Sequence, residues 1–311
     1  MITFEGVSKR YETQSAVDNL SFEVPSRKFV CLVGPSGCGK TTTLKMINRL
    51  IEPTEGRILI DGEDTRGKPA AQLRLGIGYV IQQVGLFPHL TIAENVGTVP
   101  GLLGWAKDRT RARVDELLDL VGLPAREYGS RLPSELSGGQ RQRAGVARAL
   151  GADPPILLMD EPFSAIDPVT RLRLQDELLR LQRVVKKTIV FVTHDIDEAV
   201  KLADLVAIFE VGGRLVQYDT PADLLARPAT PFVEEFLGSA RRLRRLALMP
   251  LAGIELRPPS GRRPTVEVAR EATLREALDL ALSVPDGRVA VVAGQAWVGV
   301  VDPELIGRSV Q

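Results

Sequence analysis

The 311-residue chain has only two cysteines and two histidines, carries almost no net charge and contains no long run of apolar residues. Each scarcity excludes something. Cys31 and Cys38 lie beside and inside a tightly constrained glycine-rich turn, which argues against a structural disulfide and for a reducing compartment such as the cytosol. Forty basic side chains against 39 acidic ones leave a charge of +1. A dedicated nucleic-acid surface usually shows a clear basic excess, so no nucleic-acid partner is expected. No apolar stretch approaches the roughly eighteen residues that cross a bilayer, and Met1–Glu5 lacks the basic region and apolar core of a signal peptide. Membrane contact is therefore expected only through a partner. Internal repeats and low-complexity tracts are also missing. A single core rarely grows past about 250 residues, so the length suggests one large and one small domain.

What is present is concentrated in short motifs. Gly34-Pro35-Ser36-Gly37-Cys38-Gly39-Lys40-Thr41 fits the pattern G-x-x-x-x-G-K-[ST] and follows the apolar Cys31-Leu32-Val33. Glycines at that spacing let successive backbone N–H groups turn inward on a β-phosphate, and a helix opening at Lys40 aims the positive end of its dipole there. Lys40 is expected to reach the β/γ oxygens and the Thr41 hydroxyl to ligate Mg²⁺. The chain is thus expected to bind a nucleoside triphosphate.

Strand-like segments recur at Arg57–Ile60, Ile77–Ile81, Ile156–Met159 and Thr188–Val192, which the pattern assigns to one α/β sheet. The last two are nearly all apolar, as central parallel strands covered on both faces are, and are expected to flank the phosphate-loop strand. Residues 83–150 read as a helical insert, with Val114, Leu117, Leu118 and Val121 on one stripe and Gly122 as a C-terminal stop. Pro250, Pro258, Pro259 and Pro264 mark residues 239–264 as a linker, and Arg241, Arg242, Arg244 and Arg245 within it read as a solvated charged stretch. Residues 265–311 read strand, helix, strand, strand, short helix, a small α+β unit.

The apolar Ile156–Met159 ends in Asp160-Glu161. Two carboxylates at the end of a buried strand need a purpose: Asp160 to hold the metal and Glu161 to polarise the attacking water. His194 follows the strand ending at Val192-Thr193, on the edge where such sheets bind ligands, and can donate to a γ-phosphate. Leu136-Ser137-Gly138-Gly139-Gln140 is a second glycine-containing helix start, suited to another anion. Gly-Gly followed by Gln costs helix stability without an evident structural return.

With these motifs in order, residues 1–238 resemble the nucleotide-binding subunit of ATP-binding cassette (ABC) transporters. The implied fold is α/β: a P-loop NTPase core with a helical subdomain, followed by a small α+β tail. By that resemblance Tyr11 corresponds to the aromatic that stacks on adenine, and Gly34 to Thr42 form the Walker A loop. Gln82 matches the glutamine that touches Mg²⁺ and senses the membrane subunit. Ser137 to Gln140 match the signature, Asp160 and Glu161 match Walker B, and His194 matches the switch histidine. Ser164-Ala165-Ile166-Asp167 resembles the dimer-crossing loop, usually Ser-Ala-Leu-Asp, and Arg27-Lys28 stands where the family often has Gly-Glu. The family further implies ATP and Mg²⁺, and a homodimer in which each ATP lies between one copy's Walker A and the other's signature. It also implies integral permease subunits, an indirectly engaged substrate-binding protein and a peripheral place on the cytoplasmic face of the membrane.

Gly78–His89 and Thr193–Ala199 most resemble osmoprotectant importers for glycine betaine, choline or carnitine. In these the apolar surface around Leu86 and Phe87 receives a helix of the permease. Residues 265–311 resemble one copy of a cystathionine-β-synthase-type (CBS) module through Glu271–Leu278 and Val298–Asp302. Import of another small solute, such as an amino acid or a sugar, and a soluble ABC ATPase without a membrane partner remain open on the sequence.

Overall fold

The computed structural model describes all residues except 13, 82–84, 165, 310 and 311, and of Gln14 the backbone alone. The expected metal- and permease-sensing Gln82 therefore lies outside the described residues, as does Ala165 of the dimer-crossing loop. The chain divides into two compact units, Met1–Pro221 and Ala222–Gln311.

The first unit runs β1 (Ile2–Tyr11), β2 (Gln14–Val24), β3 (Phe29–Val33), α1 (Lys40–Ile47), β4 (Glu55–Ile60), β5 (Glu63–Asp64), α2 (Ala70–Leu75) and β6 (Ile77–Val80). Four helices follow as an insert: α3 (Ile92–Leu102), α4 (Lys107–Leu120), α5 (Ala125–Tyr128) and α6 (Gly138–Leu150). The chain then returns through β7 (Ile156–Asp160), α7 (Pro168–Val185), β8 (Thr188–Val192), α8 (Ile196–Leu202), β9 (Leu205–Glu210) and β10 (Arg214–Asp219). Two sheets result: an antiparallel one in the order β2-β1-β4-β5, and a larger one in the order β10-β9-β3-β8-β7-β6, parallel but for β10.

Two expectations about strand placement are corrected. Arg57–Ile60 belongs to β4 of the antiparallel sheet, where only Ile58 is fully buried and its neighbours face outward at least in part. Such half-exposed alternation marks a sheet with one solvated face. Of the two apolar strands expected beside β3, only β8 is there. Cys31 pairs with Phe191 of β8 on one side and Val206 of β9 on the other, and β7 lies beyond β8. Burial on both faces predicts that a strand is central but carries no record of its neighbours.

One apolar cluster joins Ile2, Phe4, Leu20 and Val24 of the first sheet, Leu44, Met46 and Ile47 of α1, and Leu32, Leu158 and Val190 of the second. Helix α1 begins at Gly39 without a side-chain cap. Omitting a cap costs about 1 kcal/mol, whereas each fully buried Leu, Met or Ile contributes about 1.5–3 kcal/mol. Packing therefore holds α1 in place and frees its first turn for other use. Helix α4 starts earlier than the apolar stripe indicated, because Lys107–Ala112 add turns without extending the stripe; Gly122, with φ 66°, follows its end.

The second unit contains most of α9 (Pro221–Ala226), then α10 (Pro231–Leu237), α11 (Arg241–Leu248), β11 (Glu267–Ala269), α12 (Leu274–Leu282), β12 (Val289–Ala293), β13 (Ala296–Val301) and α13 (Pro303–Arg308). Its sheet is ordered β11-β12-β13. The division at Pro221 precedes the boundary expected at 238, and residues 239–264 are not a bare linker. Leu246 of α11 and Leu251 enter the core with Val268, Leu274, Val289, Val291 and Ile306. The backbone N–H groups of Leu251 and Leu274 donate to the carbonyls of Ala272 (2.7 Å) and Met249 (2.9 Å). Pro250, one of the prolines that suggested a linker, instead follows the end of α11 and pairs with Thr273 at the edge of this core. Among the described residues no helix is long and apolar enough to cross a membrane.

Candidate functional site

Residues Gly34–Gly39 link β3 to α1 at the carboxyl edge of the large sheet, the edge where open α/β sheets bind ligands. Gly37 and Gly39 hold φ of 79° and 89°, a region that glycine alone enters freely. A Cβ on Gly39 would stand 2.1 Å from the carbonyl oxygen of Ala16, so β2 presses directly on the loop. Lys40 is buried. Its Nζ donates to the carbonyls of Gly34 and Pro35, both at 2.8 Å, and lies 3.5 Å from Cys38 Sγ. Thr41 and Thr42 follow in the first turn of α1, both half-buried.

The ends of β7 and β8 complete the site. Thr41 Oγ1 donates to Asp160 Oδ1 at 2.8 Å. Burial pushes the Asp160 carboxyl up from the usual range, and the Thr41 hydroxyl opposes that shift. A cation would relieve the same cost. Among the described residues no group of three or more His, Cys, Asp or Glu side chains forms a metal cage. The paired hydroxyl and carboxylate instead suit Mg²⁺, which keeps several waters and is shared with substrate phosphates. Glu161 takes the left-handed conformation at φ 44°, a strained choice for a side chain of its kind that tends to persist at functional positions. Its N–H donates to the Val192 carbonyl at 3.0 Å. That contact turns Glu161 toward the end of β8, where His194 Nδ1 stands 3.3 Å from Glu161 Oε2.

The other expected site residues sit on other elements. Tyr11 ends β1, is 45% exposed, and has Lys9 Nζ 5.0 Å from its ring centre. Ser137 caps α6: its hydroxyl accepts from Gln140 N (3.3 Å), while Gln140 Oε1 accepts from Ser137 N (2.8 Å). This reciprocal box supplies the structural return that was not evident for Gln140. Gly138 has open space where a Cβ would be, and a Cβ on Gly139 would meet Thr170 Cγ2 at 3.1 Å, so the start of α6 abuts α7. Asp167 caps α7, its Oδ1 accepting from Thr170 N at 3.0 Å, a bond that lowers its pKa. Phe87, 43% exposed, is held by buried Asn95, which accepts from its N–H (2.8 Å) and donates to its carbonyl (3.1 Å).

Sequence reasoning passed over Tyr79, whose buried hydroxyl has no hydrogen-bond partner among the described residues and whose pKa is driven up by burial and, secondarily, by Asp160. It also passed over the buried Gln175, Thr193 and Glu198, with half-buried Arg171 beside them. The only sequence signal was a charged residue at an inward position of an otherwise apolar turn, Glu198 before Ala199-Val200.

Residues 17–164 match the family model described as ABC transporter. The chain is 50% identical over 279 residues to the osmoprotectant import ATP-binding protein OsmV of Salmonella typhimurium, covering 90% of this chain and 72% of that protein. It is 48% identical over 311 residues to the glycine betaine/carnitine/choline transport ATP-binding protein OpuCA of Bacillus subtilis, covering 99% and 80%. A bacterial ABC transporter cassette solved as a dimer superposes with a TM-score of 0.64 at 34% identity, over 71% of this chain and 99% of that one. The chain belongs to the ATP-binding proteins of the ABC transporter family.

Proposed function

We propose that this ATPase is the motor subunit of an importer for quaternary-ammonium osmoprotectants such as glycine betaine, choline or carnitine, working as a homodimer beneath a membrane permease. The observation that carries the hydrolytic part is the convergence of three strand ends: Lys40 and Thr41 after β3, Asp160 and Glu161 at β7, and His194 after β8. The transport part rests on relatives named for these solutes that align with 90% and 99% of the chain.

In this reading the loop N–H groups and Lys40 take the β- and γ-phosphates, and Lys40 exchanges its carbonyl partners for phosphate oxygens. Thr41 and Asp160 would hold Mg²⁺, with Gln82 as a further ligand, and the ion supplies neutralisation of charge on the phosphate oxygens. Glu161 accepts a proton from the attacking water as general base. His194, beside Glu161, orients that carboxylate and donates to the γ-phosphate. Tyr11 stacks on the adenine. Ser137–Gln140 of a second copy close over the γ-phosphate, the open side of Gly138 allowing close backbone approach, and Asp167 crosses between copies. Bound ATP then favours the closed dimer, and hydrolysis releases it. The surface around Phe87 receives the permease on the cytoplasmic face, and the binding protein acts through that permease. The order strand, helix, strand, strand, helix from β11 to α13 supports a CBS-like regulatory role for the second unit.

The test is reconstitution with the cognate permease and binding protein, followed by radiolabelled uptake. Betaine, choline or carnitine accumulation that stops with Glu161→Gln is expected. Uptake of an amino acid or a sugar in place of these would overturn the solute assignment.

A further inference from the structure

Behind the proposed base and histidine lies a set of buried polar contacts that the reaction as described leaves unused. Glu198 on α8 is 7% exposed, and burial raises its pKa. Its Oε2 accepts from the Thr193 hydroxyl at 2.6 Å, and its Oε1 accepts from Gln175 Nε2 of α7 at 3.4 Å. Arg171, one turn into α7, donates from Nη2 to the Ile166 carbonyl at 3.1 Å. Its Nε stands 3.9 Å from Glu198 Oε1 and its Nη1 3.7 Å from Asp195 Oδ2.

These contacts lead from Glu161 round to His194, with the Arg171–Glu198 ion pair at 3.9 Å as their loosest step. The Ser164 amide and hydroxyl donate to the Glu161 carbonyl at 3.2 and 3.0 Å, which fixes the turn leaving Glu161. Further along, Ile166, next to Asp167, is held by Arg171. Arg171 faces Glu198, Glu198 holds Thr193, and Thr193 precedes His194, which returns to Glu161 at 3.3 Å. Packing α7 on α8 needs no charge there. A buried carboxylate is costly unless its lone pairs are used, and here they fix the turn that carries His194. The guanidinium is bonded firmly at Ile166 and loosely at Glu198 and Asp195. The latter separations are about 1 Å longer than formed charge-assisted hydrogen bonds.

We propose that Arg171 and Glu198 are positioning residues that tie Ile166 and Asp167 to the Thr193–His194 turn, so that placement of His194 against Glu161 follows the position of the dimer-crossing segment. The inference rests on the reading of Glu161 and His194 as the hydrolytic pair. The loop that holds the nucleotide has no part in these contacts, so the pair sets turnover and leaves binding alone.

The experiment is steady-state ATPase kinetics of the full-length chain for Arg171→Met, Arg171→Lys, Glu198→Gln and the Arg171→Met/Glu198→Gln double variant, with Glu161→Gln as reference. The expected result is a fall in kcat of about tenfold or more for Arg171→Met at unchanged KM for ATP, because small displacements of reacting groups cost one to two orders of magnitude. Arg171→Lys should recover part of the loss, and the double variant should be no slower than the slower single one, as for two residues acting as a unit. If Arg171→Met does not fold, Arg171→Lys and Glu198→Gln carry the same kcat-against-KM test. Wild-type kcat in these variants, equal changes in kcat and KM, or additive losses would overturn the positioning role. Should Glu161→Gln itself turn over normally, the underlying hydrolytic reading falls; should it be inactive while Arg171→Met is fully active, only the positioning role falls.

Discussion

Helices α1 and α6 both begin at glycine-rich turns, and they begin in opposite ways. Helix α1 has Gly39 at its N-cap in the left-handed region, with no side-chain cap among the described residues. Helix α6 has a closed Ser137–Gln140 box that satisfies two of its own donors. A helix start that receives phosphate through its backbone must be left without an internal competitor, and its stability then has to come from packing, as the burial of Leu44, Met46 and Ile47 provides. A start whose box has taken one of its first-turn donors meets a ligand through what the box leaves: the remaining first-turn N–H groups, the cap hydroxyl and the open side of Gly138.

The sharpest way to break this comparison is at the chemistry that only the first start serves. Glu161→Gln should lower kcat by about 10²–10⁴-fold while ATP binding persists; steady-state turnover beside equilibrium binding of a fluorescent ATP analogue reads both. Next in size is a pair of glycine substitutions. Gly39→Ala forces a methyl to 2.1 Å from the Ala16 oxygen at φ 89°, and urea unfolding should register a loss of about 3 kcal/mol. Gly138→Ala, placed in open space, should stay within about 0.5 kcal/mol of wild type in the same titration yet reduce turnover of the dimer. Equal destabilisation at the two positions would erase the distinction. Ser137→Ala should cost about 1 kcal/mol by opening the box, whereas no comparable side-chain deletion exists for α1.

The smallest effect has the opposite sign. The folded state raises the Asp160 pKa through burial, so this group favours the fold below the ordinary carboxylate range, and that contribution is lost as pH rises through the raised value. Asp160→Asn should therefore unfold at a slightly higher temperature than wild type at pH 7 in the absence of Mg²⁺ and nucleotide. The gain should vanish as pH falls through the usual Asp range; calorimetry at several pH values would reveal a gain that persists in acid, which would refute the burial argument.

Much of the site was legible because it is local. The loop, its lysine and the carboxylates occupy short segments whose spacing has a mechanical reason, and His194 could be assigned to the ligand edge because it follows a strand that ends there; its contact with Glu161 is visible only in the structure. What escaped depended on distant pairing. Nothing in the composition of Ile156–Asp160 says that β8 separates it from β3, and nothing in Arg171 announces Glu198, a partner on the following helix across β8. Two features were missed although a local signal existed. Ser137 followed by Gln140 is the spacing of a reciprocal cap, and Leu246 and Leu251, both of which enter the core, were apolar signals that the nearby prolines obscured.

The interposition of β8 has a consequence of its own. Adjacent strands stand about 4.8 Å apart, so the gap between the end of β3 and Asp160 is gauged by two such intervals rather than by any side chain. A calliper made of backbone cannot be reset by exchanging one amino acid for another. The reach from Lys40 to the opposite carboxylate should thus tolerate variation all around it, and widening it would require rebuilding the order of the strands.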